Sequence, residues 1–243
     1  MRPPAPKKAM DYAAEFDWPG YFNAVAGKEA RETLVKALSL FDAEDARMSK
    51  TNKTKSARAS TRTAIDIGCG EGRDTRALLR HKGAIPWSLL VSDGSAKGID
   101  ILLDSLRPAE HARLCAVQCM MELLPEIYAT TIPIGLREVP TPQVDLINAS
   151  FSLPFCSPRE LTTLWAWIAA HLRPGGRFAG QLFGDRDTWA HARKTTGISR
   201  TTLNRMFENF VFEELREEEK DDRTTMGELK HWHVFHIVAR KRG

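Results

Sequence analysis

A chain of 243 residues, 42% hydrophobic and 27% charged, is long enough to bury the core of one large α/β domain with additions. No apolar run approaches the roughly 18 residues of a membrane span, and Met1 to Lys8 lacks the apolar stretch of a secretory signal. The net charge of +4 is too mild to imply a nucleic-acid partner by itself. The four cysteines (Cys69, Cys115, Cys119, Cys156) lack C-x-x-C spacing and read as reduced thiols of a cytoplasmic protein.

Residues 1–10 are rich in Pro and Lys and read as disordered. The stretch from Asp11 to Gly27 carries Tyr12, Phe16, Trp18, Tyr21 and Phe22, and Glu29 to Phe41 places Leu34, Leu38 and Phe41 on one helical face. Residues 1–45 are therefore expected to form a helical extension that packs over the ligand end of the domain as a lid. Residues 46–63 hold Arg47, Lys50, Lys53, Lys55, Arg58 and Arg62 with no acid, which reads as a flexible basic linker. Residues 64–243 are expected to be the catalytic domain.

Within that domain strand and helix alternate. Strands are expected at 64–67, 87–92, 113–118, 144–149 and 177–183. Helices are expected at 71–81, around Ile99, Leu102, Leu103 and Leu106, behind Ser157, and behind Ser199 with Leu203, Met206, Phe207 and Phe210. Ser157-Pro158-Arg159-Glu160 is a capping box with proline in the first turn; Pro174-Gly175 should stop its helix. The run 125–143, with Pro133, Gly135, Pro140 and Pro142, reads as an irregular loop or lid. Strand-like runs at 211–215 and 232–239 flank an acidic, turn-prone 217–227. The alternation implies a Rossmann-like, doubly wound sheet with helices on both faces, mostly parallel, closed by a C-terminal antiparallel hairpin.

The chemistry concentrates in Ala64-Ile-Asp-Ile-Gly-Cys-Gly-Glu-Gly72. A short apolar run ends in glycines, and a helix pattern follows. Such a turn lets a ligand lie on bare backbone beside free N–H groups of a helix start. Asp93 ends the next strand about 20 residues on, the usual offset for a carboxylate that accepts from a ribose; Gly94 follows it. The chain thus reads as binding a nucleoside-containing cofactor. The third glycine comes one residue early for a dinucleotide fingerprint, which disfavours a nicotinamide dehydrogenase. Asp66, under the loop, suits a cationic ligand better than a pyrophosphate. His231 and His233 share one side of a strand, but no carboxylate or cysteine at ligand spacing accompanies them, so no metal is assigned.

The stretch Asp66-Ile-Gly-Cys-Gly-Glu-Gly-Arg-Asp74 resembles motif I of the class I S-adenosylmethionine-dependent methyltransferases. Val144-Asp-Leu-Ile-Asn-Ala-Ser150 resembles their fourth strand, and Leu172-Arg-Pro-Gly-Gly-Arg-Phe178 resembles the turn into their fifth. The likeness spans about residues 60–243 and is closest to the tellurite-resistance and thiopurine branches. It implies S-adenosylmethionine as cofactor, with Gly68, Cys69 and Gly70 under its methionine part and Asp66 near its ammonium. Asp93 and Gly94 would lie at the ribose, and Met120, Met121 and Glu122 around the adenine. Asn148, Ala149 and Ser150 would face the sulfonium. Met120 departs from the pattern, standing where members often carry an acid.

The expected activity is methyl transfer to a small-molecule acceptor by in-line displacement. Proximity supplies much of such a reaction's acceleration, of order 7–11 kcal/mol in favourable cases. The lid-like segments would enclose a small acceptor, and Tyr21 and Arg31 would reach the cofactor carboxylate or the acceptor. If the acceptor loses a proton, Asp185, Asp187, His191 and Tyr21 are the candidate bases. The sequence after the fourth strand is not the N/D-P-P-Y/F of amino-methylating enzymes, which argues against a nucleobase or glutamine acceptor. Two alternatives remain: an RNA or protein methyltransferase using the basic 46–63 segment, and a cofactor-binding regulatory protein without transfer activity.

Overall fold

The strands near the middle of the chain bury nearly every side chain, the pattern of a sheet covered on both faces. The computed structural model describes residues 15–51, 61–131, 143–192 and 194–243. Its helices are α1 (Trp18–Val25), α2 (Glu32–Thr51), α3 (Arg73–Arg80), α4 (Ala96–Asp104), α5 (Pro108–His111), α6 (Leu124–Thr131), α7 (Pro158–His171), α8 (Thr188–His191) and α9 (Arg200–Met206). Its strands are β1 (Arg62–Ile67), β2 (Trp87–Asp93), β3 (Leu114–Gln118), β4 (Val144–Ala149), β5 (Leu172–Gly184), β6 (Gly197–Ile198), β7 (Phe210–Arg223) and β8 (Leu229–Lys241). They form one sheet in the order β3-β2-β1-β4-β5-β8-β7, with β6 beside β5. Strands β1 to β5 run parallel, and the β7–β8 hairpin joins β5 antiparallel. The expected doubly wound sheet with its closing hairpin is what forms.

Each face carries its own apolar layer. On one, Ile65, Ile67, Ile147, Phe178 and Phe235 meet Leu161, Leu164, Trp165 and Ile168 of α7. That helix starts in the expected capping box, with Ser157 Oγ accepting from Glu160 N and the Glu160 carboxylate accepting from Ser157 N. On the other face, Ala64, Leu89, Leu146, Ala179 and Val238 meet Leu34, Ala37, Leu38 and Phe41 of α2, with Leu78 and Leu102.

That second layer corrects the division at residue 45. An apolar stripe at 34, 37, 38 and 41 needs a broad apolar partner, and the sheet face provides it. Helix α2 is thus a layer of the α/β domain, and only its first turn and the segment before it lie at the ligand end. The linker assignment also shrinks. Helix α2 runs on through residues 46–51, because Asp45 and Glu44 anchor it to the sheet. Asp45 takes a bidentate pair from buried Arg62 at 2.8 and 2.9 Å; Glu44 takes 2.6 and 3.1 Å bonds from buried Arg177. Arg62 itself opens β1. Residues 52–60, with Lys53, Lys55 and Arg58, lie outside the described residues, as do 1–14 and the Pro-rich 132–142.

Three further expectations change. The loop expected from 125 begins as helix α6, held by buried Leu124 and Tyr128. Helix α7 ends at His171, and β5 starts at Leu172, before Pro174-Gly175. The acidic run 217–223 is strand, not turn. Its charges alternate between faces and find partners: Glu217 meets His233 at 2.9 Å, Glu219 meets Arg186 at 2.7 Å, and Asp221 meets His231 at 2.8 Å.

Candidate active site

Beyond the carboxyl ends of β1 and β4, where strand order reverses, the crevice of an open α/β sheet takes its ligand. Here it widens into a cavity of about 1080 Å³, at the top of the roughly 300–1,000 Å³ range for small-molecule sites and roomy enough for two ligands. Its floor is the glycine turn. Gly68, Gly70 and Gly72 all hold positive φ. A side chain on Gly72 would strike Leu102 Cδ1 at 2.3 Å, so that glycine serves the packing of α3 on α4. Gly68 and Gly70 line the cavity. A Cβ on Gly70 would come within 3.2 Å of Phe22, which roofs the loop from α1.

Asp93 stands beside the turn. One oxygen accepts from Gly70 N at 2.8 Å and the other from Ser95 N at 2.8 Å. Burial pushes its pKa up, against those two N–H groups. Each carboxylate oxygen still has a free lone pair for a hydroxyl from the cavity. Asp93 does not cap the helix that follows; Ser95 does, its Oγ accepting from Gly98 N. Gly94, Met120, Met121 and Ser150 also line the cavity, and so do Tyr21 and Arg31.

Other expected contacts lie beneath it. Asp66 is buried and does not line the cavity. Its carboxylate accepts from Thr75 Oγ1 at 2.6 Å and Asn148 Nδ2 at 2.9 Å, both beneath the cavity floor. Asn148 and Ala149 are fully buried at the end of β4. Cys69 turns into the apolar layer, and Glu122 is absent from the lining. Asp66 is the centre of a network that continues through Asn148 to Asp74. Asp74 accepts in turn from Ser150 Oγ at 2.6 Å and from Arg31 N at 2.8 Å. The network ties the strand ends to the start of α2. Burial and the neighbouring Asp74 carboxylate raise the Asp66 pKa to about 7.

Three of the four candidate bases are displaced. Asp185 and His191 are exposed and outside the cavity lining. Asp187 is fully buried in an ion pair with Lys230, and it caps α8 by accepting from Trp189 N; its charge is neutralised and it faces no open space. Tyr21 alone of the four lines the cavity.

Two features escaped the sequence reading. Phe151, just after β4, is the only described non-glycine residue with positive φ, at 57°, a strain that clusters at functional sites. Arg31 stacks on its ring at 4.5 Å, and buried Arg31 Nε has no partner. The other feature is a polar pair, Gln181 and His236, in the wall formed by β5 and β8. Trp232, Val234 and His236 alternate along β8 toward the cavity, so a histidine breaking an apolar row was the available signal. The HxH pair at 231 and 233 has the opposite parity.

No protein-family model matches the sequence, and no curated protein matches it. Solved structures do resemble its fold. TehB from Haemophilus influenzae superposes with a TM-score of 0.56 at 16% identity, over 80% of this chain and 66% of that one. The N-methyltransferase NodS from Bradyrhizobium japonicum, in complex with S-adenosyl-L-homocysteine, gives 0.56 at 14% identity over 97% of both chains. The 1,6-didemethyltoxoflavin-N1-methyltransferase from Burkholderia thailandensis, with its substrate and S-adenosylhomocysteine bound, gives 0.53 at 18% identity over 98% of this chain and 93% of that one. The chain has the fold of the class I S-adenosylmethionine-dependent methyltransferases.

Proposed function

We propose that the protein is an S-adenosylmethionine-dependent methyltransferase acting on a small molecule. The observation that carries this reading is the pairing of Asp93 with the Gly68–Gly70 turn on the floor of one cavity, at the switch point of a methyltransferase-type sheet. Asp93 would hold the ribose hydroxyls. Met120 and Met121 would flank the adenine, since thioethers make favourable contacts with ring faces. Arg31 and Tyr21 would meet the carboxylate of the methionine part. The unpartnered Arg31 Nε and the unpartnered Ser92 Oγ in the same cavity supply donors for a polar, partly anionic ligand.

When bound, the cofactor supplies an activated methyl group. The residues of the chain then have to position an acceptor, exclude water and take up a proton where one is released. The toxoflavin-type enzyme acts on a small molecule by its name, and the walled cavity suits that class here. The test is calorimetry. S-adenosylhomocysteine should bind, NADH should not compete, and no binding at millimolar ligand would remove the assignment.

A further inference from the structure

We infer that the inner half of the cavity takes a flat aromatic or heteroaromatic acceptor bearing a ring-borne O–H or N–H, shared between Gln181 Oε1 and His236 Nε2 as acceptors before reaction, and that its proton then passes to His236. This rests on the methyltransferase reading above.

Gln181 and His236 are direct partners across the β5–β8 ladder, so their side chains lie side by side on one face. Both are at least nine-tenths buried and both line the cavity. Gln181 Nε2 donates to Thr33 Oγ1 at 3.0 Å, which fixes the amide and leaves Oε1 without a partner. Neither His236 nitrogen makes a hydrogen bond. Two buried acceptors with nothing to accept from cost stability unless a ligand satisfies them.

The groups around His236 set its state. Glu32 Oε1, at the start of α2, lies 3.1 Å from Nδ1, short of hydrogen-bond alignment, and Glu218 Oε2 of β7 lies 3.7 Å from Nε2. Arg216 of β7 and Arg31 oppose them. Burial first, then Arg216, lowers the His236 pKa to about 4, so the ring is neutral at pH 7. With its N–H toward Glu32, Nε2 keeps a lone pair. A base this weak serves because the proton leaves late: as carbon bonds to the acceptor oxygen or nitrogen, that atom becomes positive and its proton strongly acidic. The O–H or N–H bond breaks, its proton passes to Nε2 and its electron pair stays on the acceptor atom. The new bond to the methyl carbon forms as the sulfur–carbon bond of the donor breaks, with that pair going to sulfur. Glu218, half-exposed at the rim, is the next station for the proton toward water.

The walls choose a ring over a saturated chain, and a neutral ring over a cation. Phe151, Phe183, Trp189 and Trp232 surround the pair, with Phe151 at 82° to the His236 ring and 6.2 Å between centroids. Their cation-binding faces are already occupied. Lys230 Nζ lies 4.4, 4.9 and 3.8 Å from the ring centres of Phe183, Trp189 and Trp232, and Arg31 covers Phe151. A cationic acceptor would have to share these rings with a protein cation already seated on them.

The full-length protein, labelled with 15N-histidine, is titrated with 2-naphthol and benzimidazole, and with cyclohexanol and phenyltrimethylammonium as contrasts, each with and without S-adenosylhomocysteine. The two planar donors should bind and shift the ring-nitrogen signals of His236 alone among seven histidines. In His236→Phe their affinity should fall about fivefold or more, with affinity for S-adenosylhomocysteine unchanged as the check on folding. Equal or tighter binding of cyclohexanol or the ammonium probe, unmoved His236 signals, or undiminished affinity in the variant would overturn the inference. Planar probes that bind a protein indifferent to S-adenosylhomocysteine would support this pocket and remove the cofactor assignment. S-adenosylhomocysteine binding without planar-probe binding would do the reverse.

Discussion

Asp187 and Lys230 form an ion pair in which neither side chain retains any exposed surface, and the lysine lies 3.8 Å from the centre of the Trp232 ring. The pair sits behind the aromatic wall of the cavity, not in it. Lys230→Met should therefore act as a stability mutation. It strands the Asp187 charge in an apolar site, which costs about 3–5 kcal/mol. Adding Asp187→Asn keeps the cap on α8 and removes the stranded charge, so much of the loss should return. Urea unfolding of the single and double variants checks this. A single variant as stable as the parent would mean that water reaches the pair.

Asp93→Ala tests the floor. On the proposed reading the carboxylate takes charged hydrogen bonds from two ribose hydroxyls, each worth roughly 1.5–3 kcal/mol, so affinity for S-adenosylhomocysteine should fall at least about tenfold. Its bonds to Gly70 N and Ser95 N also brace the turn, so some stability should go too. Calorimetry on the folded variant separates the two effects. Unchanged affinity would reduce Asp93 to a brace.

What was legible in the sequence follows from what local rules control. Strand β4 matches its expected bounds because turn residues flank an apolar run, and α7 begins at Ser157 because a capping box is local chemistry. The strand at 217–223 was not legible. Its residues favour strand only when Arg186, His231 and His233 pair with them, and those lie elsewhere in the chain. The same holds for the site. The glycine turn and Asp93 announce themselves by spacing. Asp66 looked equally exposed to ligand, but it is buried under the floor against Asn148, 82 residues away. His236 gained its place from the β5–β8 register, which no window of sequence contains.

Asp66 also predicts a pH dependence. Its pKa rises from the ordinary 3.8 to about 7 on folding, so between those values the folded state holds a proton that the unfolded state has released. Stability from this group is greatest near pH 4 and declines as pH rises to about 7. In Asp66→Asn the amide can donate to Thr75 Oγ1 and accept from Asn148, as the protonated acid does. That variant should lose this decline. Urea midpoints across pH 4–8 give the comparison, and equal slopes in parent and variant would show that Asp66 stays ionised.

The last prediction concerns α1, which we propose acts as a lid. An eight-residue helix is marginal by itself, so it must borrow stability from what it covers. Phe22 packs on the glycine turn, and Phe16 and Trp18 reach Phe155 across the cavity, with ring centres 6.5 and 5.2 Å apart. A short peripheral helix of this kind opens at lower free-energy cost than the central strands. A ligand on the turn would add contacts to Tyr21 and Arg31 and favour the closed arrangement. Amide exchange over residues 18–25 should therefore slow when S-adenosylhomocysteine is added, while exchange in β4 stays unchanged. Deleting residues 1–27 should leave a folded core, since α2 and its sheet contacts remain. It should weaken cofactor binding and abolish methyl transfer, because an open site lets water compete for each polar contact. Equal protection of 18–25 with and without ligand would identify α1 as a fixed wall. Full activity in the truncated protein would show that closure is not needed.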